Sequence, residues 1–506
     1  MKHLAGSSRL LRAINETAAL GHLLDRGPLT RGDLRALTGL AKPTTSEVLR
    51  RLREAGLAIV VGRTSGGPGP NAELYAINPD AAYVAAVSVR EHDAAFVTAI
   101  CDLTGVLRAQ VETGGRDADP VRAVADAVQA ACHEAGIPES RLDHVQLGVP
   151  GSYDERADMI RYVDAPGWSR PGLIGQIRER LGVPVSVDND VNLAAIAERR
   201  HGIAVDHDNF ALLWLGEQGL GLAIVLNGTV LRGVRGGAGE IGYMPVGLPV
   251  PGGGGGAEVA DFQDLVGGDA VRELARQYGF PARPGQDVST GHGISTGHGA
   301  KAGDDASAST GHDAVASAVA ALTRTDPTPV DQAGGALESG SRATDAQAFL
   351  EALAVRIAVG VAAVVAILDP PLVVLGGEVG RAGGHALRDA VSTALGALSC
   401  LATIVETTSL AAAGGSGPGP TGNQRTPEPA DDGAPGSRLA PGTAAGRSSR
   451  SAPSTDDLID GVLVGGLDAA LGHVRTALLG RSNDDRSGRY ATGKTPPSPQ
   501  DEARST

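Results

Sequence analysis

The chain has 506 residues, room for two or three domains, and a net charge of −14. Its three cysteines, Cys101, Cys132 and Cys400, lie far apart, which excludes a disulfide scaffold and a cysteine-built metal cluster. The charge is uneven: residues 1–63 hold 11 Lys and Arg against 5 Asp and Glu, a net +6, so the remainder carries −20. A basic head on an acidic body is the pattern of a DNA-contacting segment at the N-terminus.

In chain order, Leu10, Leu11, Ile14, Leu20, Leu23 and Leu24 predict one helix over residues 8–25. Thr30, with Asp33 three residues on, caps a short helix over Arg31 to Leu37, and Gly39 makes the turn. A second helix starts near Lys42-Pro43, where proline's missing donor costs nothing. Val48, Leu49 and Leu52 form its inner face. Thr44, Thr45, Glu47, Arg50 and Arg51 are left mostly outside. This is a helix-turn-helix, with residues 42–54 as recognition helix. Strands over 58–61 and 73–77 flank a loop that runs from Gly62-Arg63 to Pro70, which makes a wing. Thr44, Thr45 and Ser46 are expected to touch bases or phosphates, and Arg50 and Arg51 the phosphate backbone. Lys42 at the helix start, Arg31 at the opening of the preceding helix and Arg63 in the wing complete the expected DNA contacts.

From Ala82 onwards strands dominate: 83–89, 94–101 and 106–111, then a helix over 121–132, a strand over 145–149 and the pair Pro150-Gly151. An apolar strand from Val185 ends in Asp188-Asn189-Asp190-Val191-Asn192, and a helix follows directly. Such strand ends are where open α/β proteins place ligands. Two glycine-rich runs come next, Gly216 to Leu222 and Gly236-Gly237-Ala238-Gly239-Glu240-Ile241-Gly242-Tyr243. Glycines let backbone approach a small ligand, and Asn, Asp and Glu pair with sugar hydroxyls. For Asp188 a strand-end role is favoured. Asp190 reads as a binding residue, a helix cap, or both.

Residues 261–278 read as one helix. Residues 281–344 are mostly Gly, Ala, Ser, Asp and Thr and read as a floppy insertion, with one helical island at 314–322. The His tract around His292, His298 and His312 has no scaffold to hold a metal. A long helix over 345–368, a strand over 372–375, Gly376-Gly377 and a helix over 385–398 follow. Residues 413–455 form a second low-complexity block. Residues 459–479 return to helical periodicity, and 480–506 form a polar tail. The apolar stretch Ile357 to Leu368 is too short to span a bilayer, and the N-terminus lacks a signal-peptide pattern. A soluble, cytoplasmic protein without a membrane partner is expected.

The Asn189 to Asn192 motif and the Gly239 to Gly242 motif, in this order and spacing, resemble the ROK family, which joins sugar kinases to sugar-responsive transcription factors. The resemblance implies an α/β fold: a winged helix-turn-helix over 1–78, then a two-lobed actin-like, sugar kinase-like domain over 79–479, broken by the low-complexity insertions. It implies that Asp190 matches the family's catalytic base. Gly151, Asn189, Glu240, Tyr243 and Glu258 fall at or beside its sugar-site positions. The family commonly has His where Tyr243 stands, and its cysteine cluster is replaced by the glycines before Glu258, so neither a thiolate zinc site nor any cofactor is expected. ROK kinases open their domain with a glycine-rich phosphate turn, but here Ser88-Val89-Arg90-Glu91-His92-Asp93 fills that place with side chains. Phosphoryl transfer depends on positioning and neutralising the phosphates. The expectation is therefore a non-enzymatic regulator, with Asp190 a vestigial base. It would be a repressor that binds inverted-repeat double-stranded DNA as a homodimer or dimer of dimers, with a sugar or sugar phosphate as effector. A sugar kinase, or a regulator whose second domain only dimerises, are the alternatives.

Overall fold

The computed structural model describes residues 7–64, 71–90, 95–114, 119–161, 167–217, 219–247, 260–280, 310–323, 335–410 and 461–480. The head holds helices α1 (Ser7–Arg26), α2 (Arg31–Thr38) and α3 (Lys42–Glu54) and strands β1 (Leu29–Thr30), β2 (Ala58–Arg63) and β3 (Glu73–Ile77). The Thr30 hydroxyl accepts from Asp33 N at 3.1 Å, and the Asp33 carboxylate accepts from Thr30 N at 2.9 Å, so α2 starts with a reciprocal cap. Gly39 ends α2 at φ 68°, a conformation that favours glycine. On α3, Val48, Leu49 and Leu52 face inward as their spacing dictates. Thr45 joins them at 2% exposure. The strands pair antiparallel in the order β1-β3-β2 and form the base of a wing.

The first lobe contains β4 (Tyr83–Val89), β5 (Ala95–Asp102), β6 (Leu107–Gly114), α4 (Pro120–Ala135), β7 (Leu142–Val149), β8 (Ser152–Asp154), β9 (Met159–Arg161), α5 (Leu173–Leu181) and β10 (Val185–Asn189). Its five-stranded sheet runs β10-β7-β4-β5-β6, parallel from β10 to β4 and antiparallel beyond. Alternation along β4 assigns the faces. Ala85, Val87 and Val89 pack under α4 and α5, whereas Val84 and Ala86 face the last helix and the head.

The second lobe contains α6 (Asp190–His201), β11 (Phe210–Leu215), β12 (Leu220–Leu226), β13 (Thr229–Val230), α7 (Phe262–Val266), α8 (Gly268–Gln277), α9 (Gly311–Thr323), α10 (Gly335–Leu368), β14 (Leu372–Gly376), α11 (Gly377–Leu398) and β15 (Ile404–Thr407). Its sheet runs β13-β12-β11-β14-β15. Leu212 and Val374 face α6, while Leu213 and Leu375 face the core that α10 and α11 cover. The last helix, α12 (Gly461–Gly480), returns to the first sheet and lies against α6, so α6 and α12 form the seam between the lobes.

Three expectations change. The helix over 261–278 is two helices, because the chain at Gly267 is extended and lies against Gln263. The insertion expected to run to residue 344 gives up 335–344 to α10, while the helical island expected at 314–322 is α9. Ala314, Val315 and Ala318 of α9 are buried in the second-lobe core, so apolar spacing outweighs the small-residue composition there. The helix expected from residue 345 begins at Gly335. Its stretch Arg342–Leu368 is long and apolar enough to cross a membrane, yet half of its most apolar window is buried. Phe349, Leu353, Ile357 and Val361 pack in the lobe's interior, as a core helix requires.

Candidate functional site

Parallel strands β7 and β10 end side by side, with Val149 opposite Asn189. Asn189 is the N-cap of α6: its Oδ1 accepts from Val191 N at 2.9 Å and Asn192 N at 3.2 Å. Its Nδ2 donates to Gly151 O at 3.3 Å, which ties the turn after β7 to the start of α6. Asp190 stands in the first turn of α6, half-buried, and its Oδ1 accepts from Val191 N at 2.8 Å. The capping role considered for Asp190 thus belongs to Asn189. Asp188 is a buried strand-end residue, as expected. Its Oδ1 accepts from Asn192 Nδ2 at 2.9 Å, and its Oδ2 holds the Arg232 guanidinium at 2.6 and 2.9 Å.

The opposite wall is the glycine loop of the second lobe. Gly239, at φ 95°, lies so close to Leu222 O that a Cβ would fall 1.8 Å from it. Gly236, at φ 80°, touches the backbone of Tyr153 in the same way, at 2.4 Å. These approaches require glycine. They bring Glu240 across the lobes, where its carboxylate accepts from the Ser152 hydroxyl. Gly151, Asn189, Asp190 and Glu240 are therefore assembled at the strand ends. Tyr243 follows on the same loop but is 62% exposed. Glu258 lies outside the described residues. Sequence reasoning missed Ser152 and Arg232. Ser152 follows the Pro150-Gly151 turn and could have been suspected from that, whereas Arg232 is paired only by tertiary folding.

At the turn expected to lack a phosphate cradle, Arg90 N donates to Ala95 O at 3.0 Å, and the Arg90 side chain pairs with Glu112 at 3.6 Å. Residues 91–94 lie outside the described residues. In the other glycine run, the Glu217 carboxylate accepts from Gly311 N at 2.9 Å and from His312 N, and pairs with Arg272 at 3.2 Å, so it caps α9. His292 and His298 are outside the described residues. Among the described residues no group of three or more His, Cys, Asp and Glu side chains is placed to hold a metal.

On the head, Lys42, Arg50, Arg31 and Arg63 are exposed, and Thr44 and Ser46 half-buried. The Ser46 hydroxyl donates back to Lys42 O at 3.0 Å. Two assignments are corrected. Thr45 is buried, its hydroxyl on Ala41 O at 3.2 Å, because residues 45, 48, 49 and 52 form one helical stripe. Arg51 is turned inward onto the buried Glu16 at 3.6 Å and onto Glu47 at 2.7 Å, so it braces α3 against α1 instead of facing a phosphate. Arg50 is exposed but bracketed by Glu47 at 2.6 Å and Glu54 at 2.5 Å. Hydrogen bonds from Arg50 and Arg51 push the Glu47 carboxyl down to about 2. The exposed Arg53, next along α3, was not singled out from the sequence.

The ROK family profile matches residues 92–417, well over half of the chain. The chain belongs to the ROK family. A second profile, described as a bacterial regulatory protein of the arsR family, matches residues 22–60 of the head. The xylose repressor of Bacillus subtilis (strain 168) is 24% identical over 241 residues, covering 47% of this chain and 61% of the relative. The chain thus spans about three fifths of the length of that curated repressor. A glucokinase of Halalkalibacterium halodurans is 37% identical over 123 residues, 24% of this chain and 37% of the relative. A crystal structure of a ROK family transcriptional regulator, homolog of the E. coli MLC protein, superposes with a TM-score of 0.57 at 17% identity, covering 94% of this chain and 99% of the other. The ROK chain described here therefore has that regulator's fold, a helix-turn-helix head on a two-lobed α/β body.

Proposed function

We propose that this ROK protein is a sequence-specific transcriptional repressor whose DNA binding is set by a sugar or sugar phosphate in the cleft between the lobes. The observation that carries the reading is the polar cluster of Gly151, Ser152, Asn189, Asp190 and Glu240, drawn from both lobes of a chain that also carries a helix-turn-helix head. The Ser152–Glu240 hydrogen bond and the Asp188–Arg232 ion pair both cross between the lobes. A polyhydroxyl ligand entering there competes for these groups and changes how the lobes close, which couples two distinct sites. Residues 1–78 serve as the DNA-binding unit and 79–479 as the effector unit. The protein works as a homodimer on an inverted-repeat operator. The side chains at Ser88 to Asp93 replace a phosphate turn, which sets the reading apart from a kinase.

Selection of bound genomic DNA fragments, with and without a panel of sugars, tests this. An enriched inverted repeat released by one sugar class is the expected result. Efficient ATP-dependent hexose phosphorylation by the purified protein would sink it.

A further inference from the structure

Between α3 and the wing lies a cleft of about 760 Å³, lined among others by Arg31, Ser46, Arg53, Glu73 and Tyr75. Its floor is a relay. Tyr75, only 3% exposed, donates its hydroxyl to Glu73 Oε2 at 2.6 Å and accepts from Arg31 Nη2 at 3.3 Å. Arg63 sits opposite Glu73 across the hairpin. Arg53 rises from the last turn of α3 and, among the described residues, forms no ion pair. The hydroxyl of Tyr75, helped by the charges of Arg53, Arg63 and Arg31, holds the Glu73 carboxyl below its usual range.

The charge count separates this cluster from the rest of the head. Arg50 faces two carboxylates, and Arg51 is consumed by Glu16 and Glu47. The cleft lining holds Arg31, Arg50 and Arg53 against Glu54 and Glu73, and with Arg63 across the hairpin from Glu73 the arginines outnumber the carboxylates four to two. Guanidiniums in this arrangement suit phosphodiester oxygens, which accept two parallel donors.

We propose that this cleft carries one strand's phosphate backbone of duplex DNA, with Arg53 and Arg31 as its phosphate contacts and Glu73 as a fixed negative charge beside them that opposes it. The inference rests on the DNA-binding reading above and adds Arg53, Glu73 and Tyr75 to the residues expected from the sequence. Glu73, held by the Tyr75 hydroxyl, repels an approaching phosphate and weakens binding to any duplex, so that contacts from the tip of α3 decide where the head stays.

The test is duplex binding by full-length protein, measured by fluorescence anisotropy across a salt series, with Arg53→Ala, Glu73→Gln and Tyr75→Phe. Thermal unfolding accompanies each variant. Arg53→Ala is expected to weaken operator and non-operator duplex alike by about tenfold and to lower the salt slope by about one. Glu73→Gln is expected to tighten non-operator duplex by at least about threefold and to steepen the slope. Because Tyr75 is buried, Tyr75→Phe supports the relay only if its unfolding temperature stays at the parent's while its affinity shifts. Parent-like affinity and slope in both Arg53→Ala and Glu73→Gln would overturn the proposal while leaving the DNA-binding reading standing. A parent that binds no duplex at low salt would overturn both. Inorganic phosphate at constant ionic strength separates the sources of the anion. Failure of millimolar phosphate to displace duplex supports a DNA track, and displacement at that level assigns the cleft to a small phosphate instead.

Discussion

Asn189 does two jobs with one amide, and substitutions can separate them. Its oxygen caps α6, and its nitrogen holds Gly151 O. Asn189→Ala loses both, and the cap alone is worth about 1 kcal/mol, so a drop of a few degrees in unfolding temperature is expected. Asn189→Asp keeps an acceptor for the helix and loses the donor to Gly151. It should unfold near the parent temperature yet fail to bind sugar by calorimetry; parent-like sugar affinity in this variant would remove Asn189 from the site. A second residue-scale prediction concerns pH. His144 is buried, stacks on His473 with centroids 4.7 Å apart, and lies 3.0 Å from Ser186 Oγ. Burial, then His473 and Arg178, push its pKa from 6.5 down to about 4. The unfolded chain binds a proton below 6.5 that the folded chain refuses, so this contribution is intact above 6.5 and lost as pH falls towards 4. With solvent screening it amounts to roughly 2 kcal/mol. His144→Gln should flatten that part of the stability profile in denaturant titrations at pH 7 and pH 5. At this scale the sequence showed Asn189 and Glu240, the first in an Asn-Asp-x-Asn motif at a strand end and the second among glycines. Arg232 was hidden, because its partner comes from a contact between distant segments, whereas Ser152 had only its place after the Pro150-Gly151 turn to mark it. Thr45 was misread for another reason: small polar residues can sit on the inner stripe of a helix at little cost when the hydroxyl bonds back to the preceding turn, as Thr45 does to Ala41 O.

Helix pairs were easier to read than their seams. The periodicity of residues 459–479 marks α12, but nothing in it shows that α12 meets α6 backbone to backbone. Gly465 makes that contact possible: a Cβ there would stand 1.7 Å from Leu193 O. Nearby, Gly148 and Gly466 leave room for Leu193 and Val462, and for Ala86. At the other end of the seam, Asp468 of α12 takes His201 at 2.8 Å and Arg200 at 3.3 Å. Gly465→Ala therefore has to push the two helices apart. It should cost about 3 kcal/mol or more, in the range of overpacked sites. Gly472 lies in the same helix with nothing within 4 Å of its Cβ position. Gly472→Ala should be neutral or stabilising by up to about 1 kcal/mol, as for an open helical glycine. Equal destabilisation of both variants in urea titrations would mean that the seam is looser than these distances. The same scale explains why the helical island within the insertion is ordered. Its composition suggests a linker, yet Ala314, Val315 and Ala318 recur at helical spacing and are drawn into the core, while Glu217 closes the start of α9.

At the scale of the whole molecule, the head is not a bead on a string. One apolar cluster runs from Leu20, Leu34 and Leu52 in the head through Val84 and Val97 of the first sheet to Leu467 and Leu471 of α12. Arg475 of α12 adds a hydrogen bond to Leu103 O at 2.9 Å. A boundary near residue 78 is legible as a change from helical to strand pattern, but the continuous core beneath it is not, because burial there is shared between segments far apart in sequence. A shared core moves as a unit, since close-packed interiors do not deform continuously. Sugar-driven closure should therefore move the second lobe against a body made of head and first lobe together, with the α6–α12 seam as the pivot. The cysteines make this measurable. Cys400 is exposed on the second lobe, while Cys101 and Cys132 are buried, so Cys400 can take a spin label in the native chain. A second label at Arg35→Cys, on exposed α2, reports head to second lobe in spin-diluted samples. Labels at Arg35→Cys and Glu134→Cys in a Cys400→Ser background report head to first lobe. Saturating sugar should shift the first distance by several ångströms and leave the second within about 1 Å, as domain closure around a fixed unit predicts. If the head-to-first-lobe distance changes as much as the other, the head swings free, and the seam between α6 and α12 is not what carries the effector's signal to DNA.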